Sequence, residues 1–161
     1  MNILFLCRLF DPHIGGVEKH VLEISKILVE KGYKVTVVTE QPQKGLKLAE
    51  KIEGIKVYRI PNLKENWFKK FQIWKWTWEN IELIKKADIV HCHDVFFWYL
   101  PFRFLYLKKP VYTTFHGYED YPLRLKFILM HKIAEKLSMG NICVGEFMKK
   151  WYGTRPNFVS Y

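Results

Sequence analysis

The sequence predicts an α/β fold, a three-layer α/β/α sandwich around a mostly parallel, Rossmann-like sheet. Three observations point there. The short continuous apolar run Ile3 to Cys7 has the character of a strand buried on both faces, and Val111 to Phe115 also reads as a strand. Stretches with apolar residues at helical spacing lie between them, the alternation of a parallel sheet with crossover helices. Two glycines, Gly15 and Gly16, stand where the first run gives way to the first helical stretch. At 161 residues the chain is long enough to bury one good core, and residues 1–161 are expected to form a single domain.

The elements follow in order. Asn2 to Cys7 is the first strand. Val17, Val21, Ile24 and Leu28 then recur at helical spacing, with Glu18, Lys19, Glu23, Lys26, Glu30 and Lys31 on the other side. Gly32 follows the last periodic residue, the place of a left-handed cap. Val35 to Thr39 resumes as strand and closes a right-handed β-α-β unit. Beyond a polar connection at 41–45, a short strand is expected from Ile55 to Ile60, ended by Pro61. Asn66 to Lys86 reads as one long helix. Asp88 to Cys92 is a strand, Phe96 to Leu107 a helix interrupted near Pro101, and Pro110 to Phe115 a strand. Leu123 to Ser138 is a helix, Asn141 to Val144 a strand, and Glu146 to Tyr152 a short helix.

Composition narrows the class. Hydrophobic content of 49% and aromatic content of 17% exclude a disordered chain. The net charge of +10 is uneven: residues 1–55 hold eight basic and seven acidic residues, the remainder eighteen and nine. The excess implies an acidic partner, which could be an anionic membrane face, a phosphorylated substrate or a nucleic acid. Cys7, Cys92 and Cys143 form no C-x-x-C and fall in apolar runs, where a thiol serves as a small hydrophobe in a reduced, cytosolic setting. No basic n-region opens the chain, and the longest apolar stretch, Val95 to Leu107, contains Pro101 and Arg103 and is too short to span a bilayer. A cytoplasmic protein is expected, able to touch the inner face of a membrane.

In a parallel sheet, ligands bind beyond the carboxyl ends of the strands. The residues to weigh are therefore Arg8 to Gly16, His93 with Asp94, and His116 with Gly117. The stretch Asp11-Pro-His-Ile-Gly-Gly-Val-Glu-Lys-His20 carries the strand-to-helix junction. A helix restarting after two glycines points free, partly positive backbone N–H groups at whatever sits above it, which suits a phosphate or another anion. The alternative is that Gly15 and Gly16 only permit a tight turn. No G-x-G-x-x-G and no Walker A lysine follow the first strand, so a nicotinamide or P-loop site is not indicated.

His91-Cys-His93-Asp94 would place two imidazoles on one strand face, suitable for a metal. A metallo-hydrolase of the H-x-H-x-D-H type would need Asp at 95 and His at 96, where the chain has Val95 and Phe96. No metal site is expected: His91 is read as a packed strand histidine, with His93 and Asp94 reaching the mouth of the cleft. His116, followed by a glycine that lets a ligand approach, is placed to hydrogen-bond a substrate, with Glu119 and Asp120 close behind; capping of the next helix is the other account. The absence of G-x-S-x-G disfavours ester hydrolysis. Trp67, Phe71, Trp74, Trp78 and Ile81 form a stripe at helical spacing that reads as core-facing, with Lys69, Lys70 and Lys75 off it. Trp76, which that stripe cannot bury, keeps open a basic aromatic helix lying in a membrane interface. No nucleic-acid motif accompanies the tryptophans, and no nucleic-acid partner is expected.

These residues resemble a known family. The run from Ile14 to Thr39 is similar to the opening of glycosyltransferase family four. Ala87 to Asp94 resembles that family's fourth-strand segment, Val111 to Gly117 its next, and Asn141-Ile-Cys-Val-Gly-Glu146 its Ile-x-Val-Ser-Glu stretch, with Gly145 in place of serine. The resemblance implies a retaining transferase of GT-B fold, in which two Rossmann-like domains face a cleft. It implies that Gly15 and Gly16 form the donor diphosphate loop and that His116 is the catalytic-site histidine beside the transferred sugar. It implies that Arg8, Asp11, His13, His93, Asp94 and Gly117 line the acceptor side. A nucleotide-sugar is then the donor, no metal or other cofactor is needed, and the acceptor is a glycan or a lipid. The chain reaches Tyr161 about where the family enters its second domain, so the carboxyl-terminal nucleotide-sugar domain is expected from elsewhere, as further chain or a partner subunit.

The leading expectation is thus the amino-terminal, acceptor-side half of a glycosyltransferase, inactive by itself. The rival is a non-catalytic binding module that docks on a partner subunit or an anionic membrane surface, through Trp76, Lys69, Lys70 and Lys75. A metal-dependent hydrolase is a weaker third.

Overall fold

The computed structural model describes residues 1–117 and 125–160. Eight strands and six helices follow one another among the described residues: β1 (Asn2–Cys7), α1 (Gly16–Glu30), β2 (Lys34–Glu40), β3 (Ala49–Ile52), β4 (Ile55–Ile60), α2 (Lys69–Glu79), α3 (Glu82–Lys86), β5 (Ile89–His93), α4 (Phe96–Leu105), β6 (Val111–Phe115), α5 (Leu125–Leu137), β7 (Gly140–Val144), α6 (Phe147–Tyr152) and β8 (Phe158–Ser160). The strands form one sheet in the order β3-β4-β2-β1-β5-β6-β7-β8. Every pairing is parallel except β3 with β4. The chain runs from β1 outward to β2 on one side and later returns to β5 on the other. That reversal leaves a crevice at the carboxyl ends of β1 and β5, the place where open α/β sheets take ligands. The register levels those ends: Cys7 faces His93, and His93 faces Thr114.

Strand alternation feeds two cores, one on each face. Ile3, Phe5 and Cys7 point to one side and pack with Val21 and the apolar stripe of α1. Leu4 and Leu6 point to the other, among Ile73, Ile84, Phe96, Tyr99 and Phe102 from α2, α3 and α4. Each such side chain, fully withdrawn from water, contributes about 1.5–3 kcal/mol. The cysteines belong to these cores as free thiols, and burial pushes the thiols of Cys7 and Cys92 upward. Helix α1 ends as its sequence indicates, with Gly32 at φ 83° and Tyr33 N–H donating to the Leu28 carbonyl at 3.0 Å. No helix among the described residues is long and apolar enough to cross a membrane.

Four expectations change. Strand β3 is additional: it makes a hairpin with β4 through Glu53 and Gly54, whose φ values of 49° and 83° are those of a tight two-residue turn. Strand β8 is also additional and adds an edge to β7. The long helix expected over Asn66 to Lys86 is two helices. Asn66 Oδ1 accepts the Phe68 N–H and delays the start to Lys69, and the Asn80 amide donates to the Trp76 carbonyl as α2 ends at Glu79. The helix expected to break near Pro101 runs unbroken through it. Proline leaves the Phe97 carbonyl without its helical donor, and the Trp74 indole N–H donates to that carbonyl at 2.8 Å. The expected residues Leu123, Glu119, Asp120 and Tyr161 lie outside the described residues.

The tryptophan stripe is also corrected. Helix α2 buries Ile73 and Thr77, while Trp67 is 69% and Trp78 60% exposed. Trp76, expected on the surface, is partly buried against the core, as are Trp74 and Ile81. Lys69 is not a free cation either: its ammonium pairs with Glu40 at 2.8 Å and Glu65 at 2.5 Å. Lys70 and Lys75 are exposed.

Candidate functional site

The crevice holds a pocket of about 560 Å³ lined by Arg8, Leu9, Val17, Glu18, His93, Asp94, Val95, His116, Gly117 and His131. Three strand ends and the first turn of α1 therefore converge on one space. His93 closes β5, and His116 follows directly on β6. Their neighbouring positions bring Nδ1 of His93 to 3.0 Å from Nε2 of His116. Asp94 turns sharply at φ 60°. Its N–H donates to the Thr114 carbonyl at 3.0 Å, and its Oδ1 accepts the His116 backbone N–H at 2.9 Å. Asp94 thus ties the two strand exits together and holds the backbone of His116 in place.

The imidazoles stand in a low-dielectric setting that favours their neutral forms. Burial, then the neighbouring His20 and His91, brings His116 down to about 4. His93 is only 1% exposed and is driven well below its usual value by burial, and further by His91, His116 and His20. It lines the pocket at its buried floor, not at its mouth as the sequence suggested. His91 is the packed strand histidine expected, with Nε2 2.7 Å from Thr114 Oγ1 and its ring stacked on His93 at 4.6 Å. A neutral imidazole offers one N–H donor and one lone pair, which is the equipment for holding a hydroxyl.

Of the glycines, Gly15 is the N-cap of α1 and Gly16 its first residue, with no side chain capping the helix. Its first-turn N–H groups are available to an anion. Space there is unequal. A Cβ on Gly16 would meet nothing within 4 Å, whereas one on Gly15 would collide with the Glu18 carboxylate. Glu18 Oε1 lies 3.2 Å from His13 Nδ1, so this carboxylate and His13 cover the Gly15 side of the helix end. A phosphate reaching Gly15 has to turn Glu18 aside; one reaching Gly16 does not.

The remaining acceptor-side candidates divide. Arg8 and Gly117 line the pocket, while Asp11, His13, Gly15 and Gly16 sit on the loop beside it. Arg8 Nε is 3.9 Å from Glu40 Oε1, and Glu40 also receives Lys69, so a buried carboxylate sets the rim beside β1 and β2. Asp11 contributes its carbonyl, which accepts the Arg59 guanidinium at 2.7 Å. Trp76, Lys69, Lys70 and Lys75 are not among the pocket's lining residues.

Several residues of the site escaped the sequence reading. His20 lies beside both other imidazoles, 4.9 Å between ring centroids from His116 and 6.0 Å from His93. Its spacing, three after Val17 and four before Ile24, was the available signal. His131 of α5 lines the pocket and stacks on Phe115 and Tyr152 at 4.5 and 4.0 Å. Arg59, 1% exposed, donates to the carbonyls of Lys47 and Asp11 and pairs with Glu50, so β4 anchors the β1–α1 loop. Nothing local in the sequence marks it.

Comparison with known proteins places these features in context. The profile described as Glycosyltransferase Family 4 matches residues 14–156. The phosphatidylinositol N-acetylglucosaminyltransferase GPI3 subunit of Saccharomyces cerevisiae is 32% identical over 99 residues, covering 57% of this chain and 21% of the relative. Among solved structures, sucrose-phosphate synthase from Thermosynechococcus elongatus superposes with a TM-score of 0.74 at 12% identity, over 99% of this chain and 47% of that one. A glycosyltransferase from Rickettsia africae does so at 0.65 and 22%, over 99% and 41%. The chain spans under half the length of these structures, and they share its fold.

Proposed function

The chain belongs to glycosyltransferase family 4, and from that premise we propose that it forms the amino-terminal, acceptor-side half of a retaining transferase. The enzyme moves a sugar from a nucleotide-sugar onto a lipid or glycan acceptor. The observation that carries this reading is the pocket in which His116, Asp94 and Arg8 meet beside the uncapped end of α1. Neutral His116 hydrogen-bonds the transferred sugar, and Asp94 holds its backbone. The N–H groups at Gly16 face the donor diphosphate and stabilise the charge that grows on it as the glycosidic bond breaks. Arg8, His13 and the Asp11 loop bound the acceptor side. The nucleotide is gripped by a second domain or partner subunit, and the reaction uses no metal cofactor.

The printed name of the yeast relative supplies the first substrates to test, an N-acetylglucosamine donor and a phosphatidylinositol acceptor. Transfer between them is measured with the chain joined to a carboxyl-terminal half of the family, wild-type and His116→Ala. Product from the wild-type fusion and its loss on substitution support the reading; equal product from both removes His116 from the reaction.

A second reading, docking on an anionic membrane surface, is favoured by one patch. Trp67, Phe68 and Phe71 are exposed together, and Lys70 Nζ stands 5.2 Å from the Trp67 ring centroid and 5.3 Å from that of Phe71. This replaces Trp76 as the aromatic contact and would put the acceptor crevice near the lipid face. Cosedimentation with anionic vesicles, wild-type against Trp67→Ser with Phe71→Ser, tests it: unchanged binding would exclude the patch.

A further inference from the structure

Three imidazoles from three different elements converge at the wall of the pocket, and a hydroxyl-binding role uses only one of them. His20 on α1, His93 on β5 and His116 after β6 each offer a ring nitrogen, and these atoms all lie within 4.8 Å of one another. Two of them are already 3.0 Å apart, close to the spacing of about 3.3 Å that two nitrogens adopt on one tetrahedral ion with bonds of about 2.0–2.1 Å. The third is on a half-buried helical side chain, and closing its distances from 4.8 Å or less to about 3.3 Å completes the set. His93 and His116 are fixed by strand register and Asp94, so most of the geometry is prearranged.

We propose that His20, His93 and His116 form a binding site for a borderline divalent transition cation, zinc above all, with the pocket supplying a fourth, open position. Three neutral imidazoles are the ligand set that suits zinc, copper or nickel over magnesium or calcium, which prefer oxygen. The balance of protons is simple. One proton now lies between His93 Nδ1 and His116 Nε2; on metal binding it moves to the far nitrogen of its own ring, and three zinc–nitrogen bonds replace zinc–water bonds, with the waters released to solvent. If His93 takes that proton, its Nε2 has no partner to receive it. That unpaired N–H lowers the affinity relative to a site whose ligand imidazoles all have a hydrogen-bond partner behind them. Metal and sugar compete for His116, so an occupied site is a silenced one. That consequence rests on the transferase reading; the binding itself does not.

The test is calorimetric titration of the chain with zinc chloride near pH 7.5, on wild-type, His20→Gln and His13→Gln proteins. His20 is partly exposed on a helix, and circular dichroism confirms that each variant is folded. One zinc per chain, weakened at least about tenfold by His20→Gln and unchanged by His13→Gln, is the expected result. Cobalt in place of zinc should give the intense visible bands of a tetrahedral site, lost in His20→Gln. Absence of stoichiometric binding, equal binding by His20→Gln, or binding lost only with His13→Gln would each overturn the proposal. Failure of transfer with intact zinc binding would instead remove the transferase reading alone.

Discussion

Nδ1 of His93 and Nε2 of His116 lie 3.0 Å apart at the exits of adjacent parallel strands, with Asp94 Oδ1 accepting the backbone N–H of His116. The pair joins a buried imidazole to one that faces the pocket. In the joined enzyme, His116→Ala is expected to lower transfer by about 10²–10⁴-fold, the range for losing one well-placed hydrogen-bonding or proton-handling group. The chain should stay folded, because the change removes a partly exposed ring. Steady-state transfer rates beside a thermal melt separate the two effects.

Gly16→Ala should split stability from activity. The site is open and helical, so an added methyl stabilises by up to about 1 kcal/mol. The same methyl stands where a phosphate approaches the first N–H groups, so donor affinity in the joined enzyme should drop. A melt that rises while the KM for donor increases is the expected pair of results.

Acid should unfold the protein earlier than its carboxylates alone would require. Burial brings His91, His116 and His131 down to about 4 and holds His93 well below its usual value. Between about pH 6.5 and 4 the unfolded chain binds more protons than the folded one, so stability is complete above about 6.5 and lost as pH falls through that window. For His91 alone this is on the order of 3 kcal/mol at about 1.4 kcal/mol per pH unit. Urea midpoints from pH 8 to 4 check it; a flat profile down to 4.5 would contradict the neutral cluster.

Arg59→Met should loosen the loop that carries the acceptor-side residues. The guanidinium is buried and donates to the Lys47 and Asp11 carbonyls, so its loss strands both. A cost of about 2–4 kcal/mol is expected, measured by denaturant unfolding, with faster amide exchange at His13 and Ile14.

On the aromatic helix, Trp76→Ala should cost about 2 kcal/mol, since its ring packs on the core. Trp67→Ser with Phe71→Ser should stay within about 0.5 kcal/mol of wild-type. The reverse order would restore the stripe first read from the sequence.

That stripe shows where sequence reading stops. The β1–α1–β2 unit was legible because Ile3 to Cys7, the Val17–Leu28 periodicity and Gly32 all agree on one local structure. Helix α2 misled because its buried face includes Thr77, which breaks the apolar stripe, while Trp67 before it and Trp78 near its end face outward. Strand β3 has no long apolar run, being half-exposed at a sheet edge, and only Glu53-Gly54 hinted at its turn. In the site, His93, Asp94 and His116 were found because they follow strands. Their pairing was not, because it depends on the level at which Cys92 and Thr113 register. His20 belonged to the legible stripe of α1 and was passed over as one more residue of a helix.

The most direct test is transfer of labelled N-acetylglucosamine from its nucleotide-sugar to phosphatidylinositol vesicles by three samples. These are the chain alone, the chain fused to a family-four carboxyl-terminal half, and that fusion carrying His116→Ala. The account predicts product from the wild-type fusion only. Product from the chain alone, or undiminished product from the His116→Ala fusion, would contradict it.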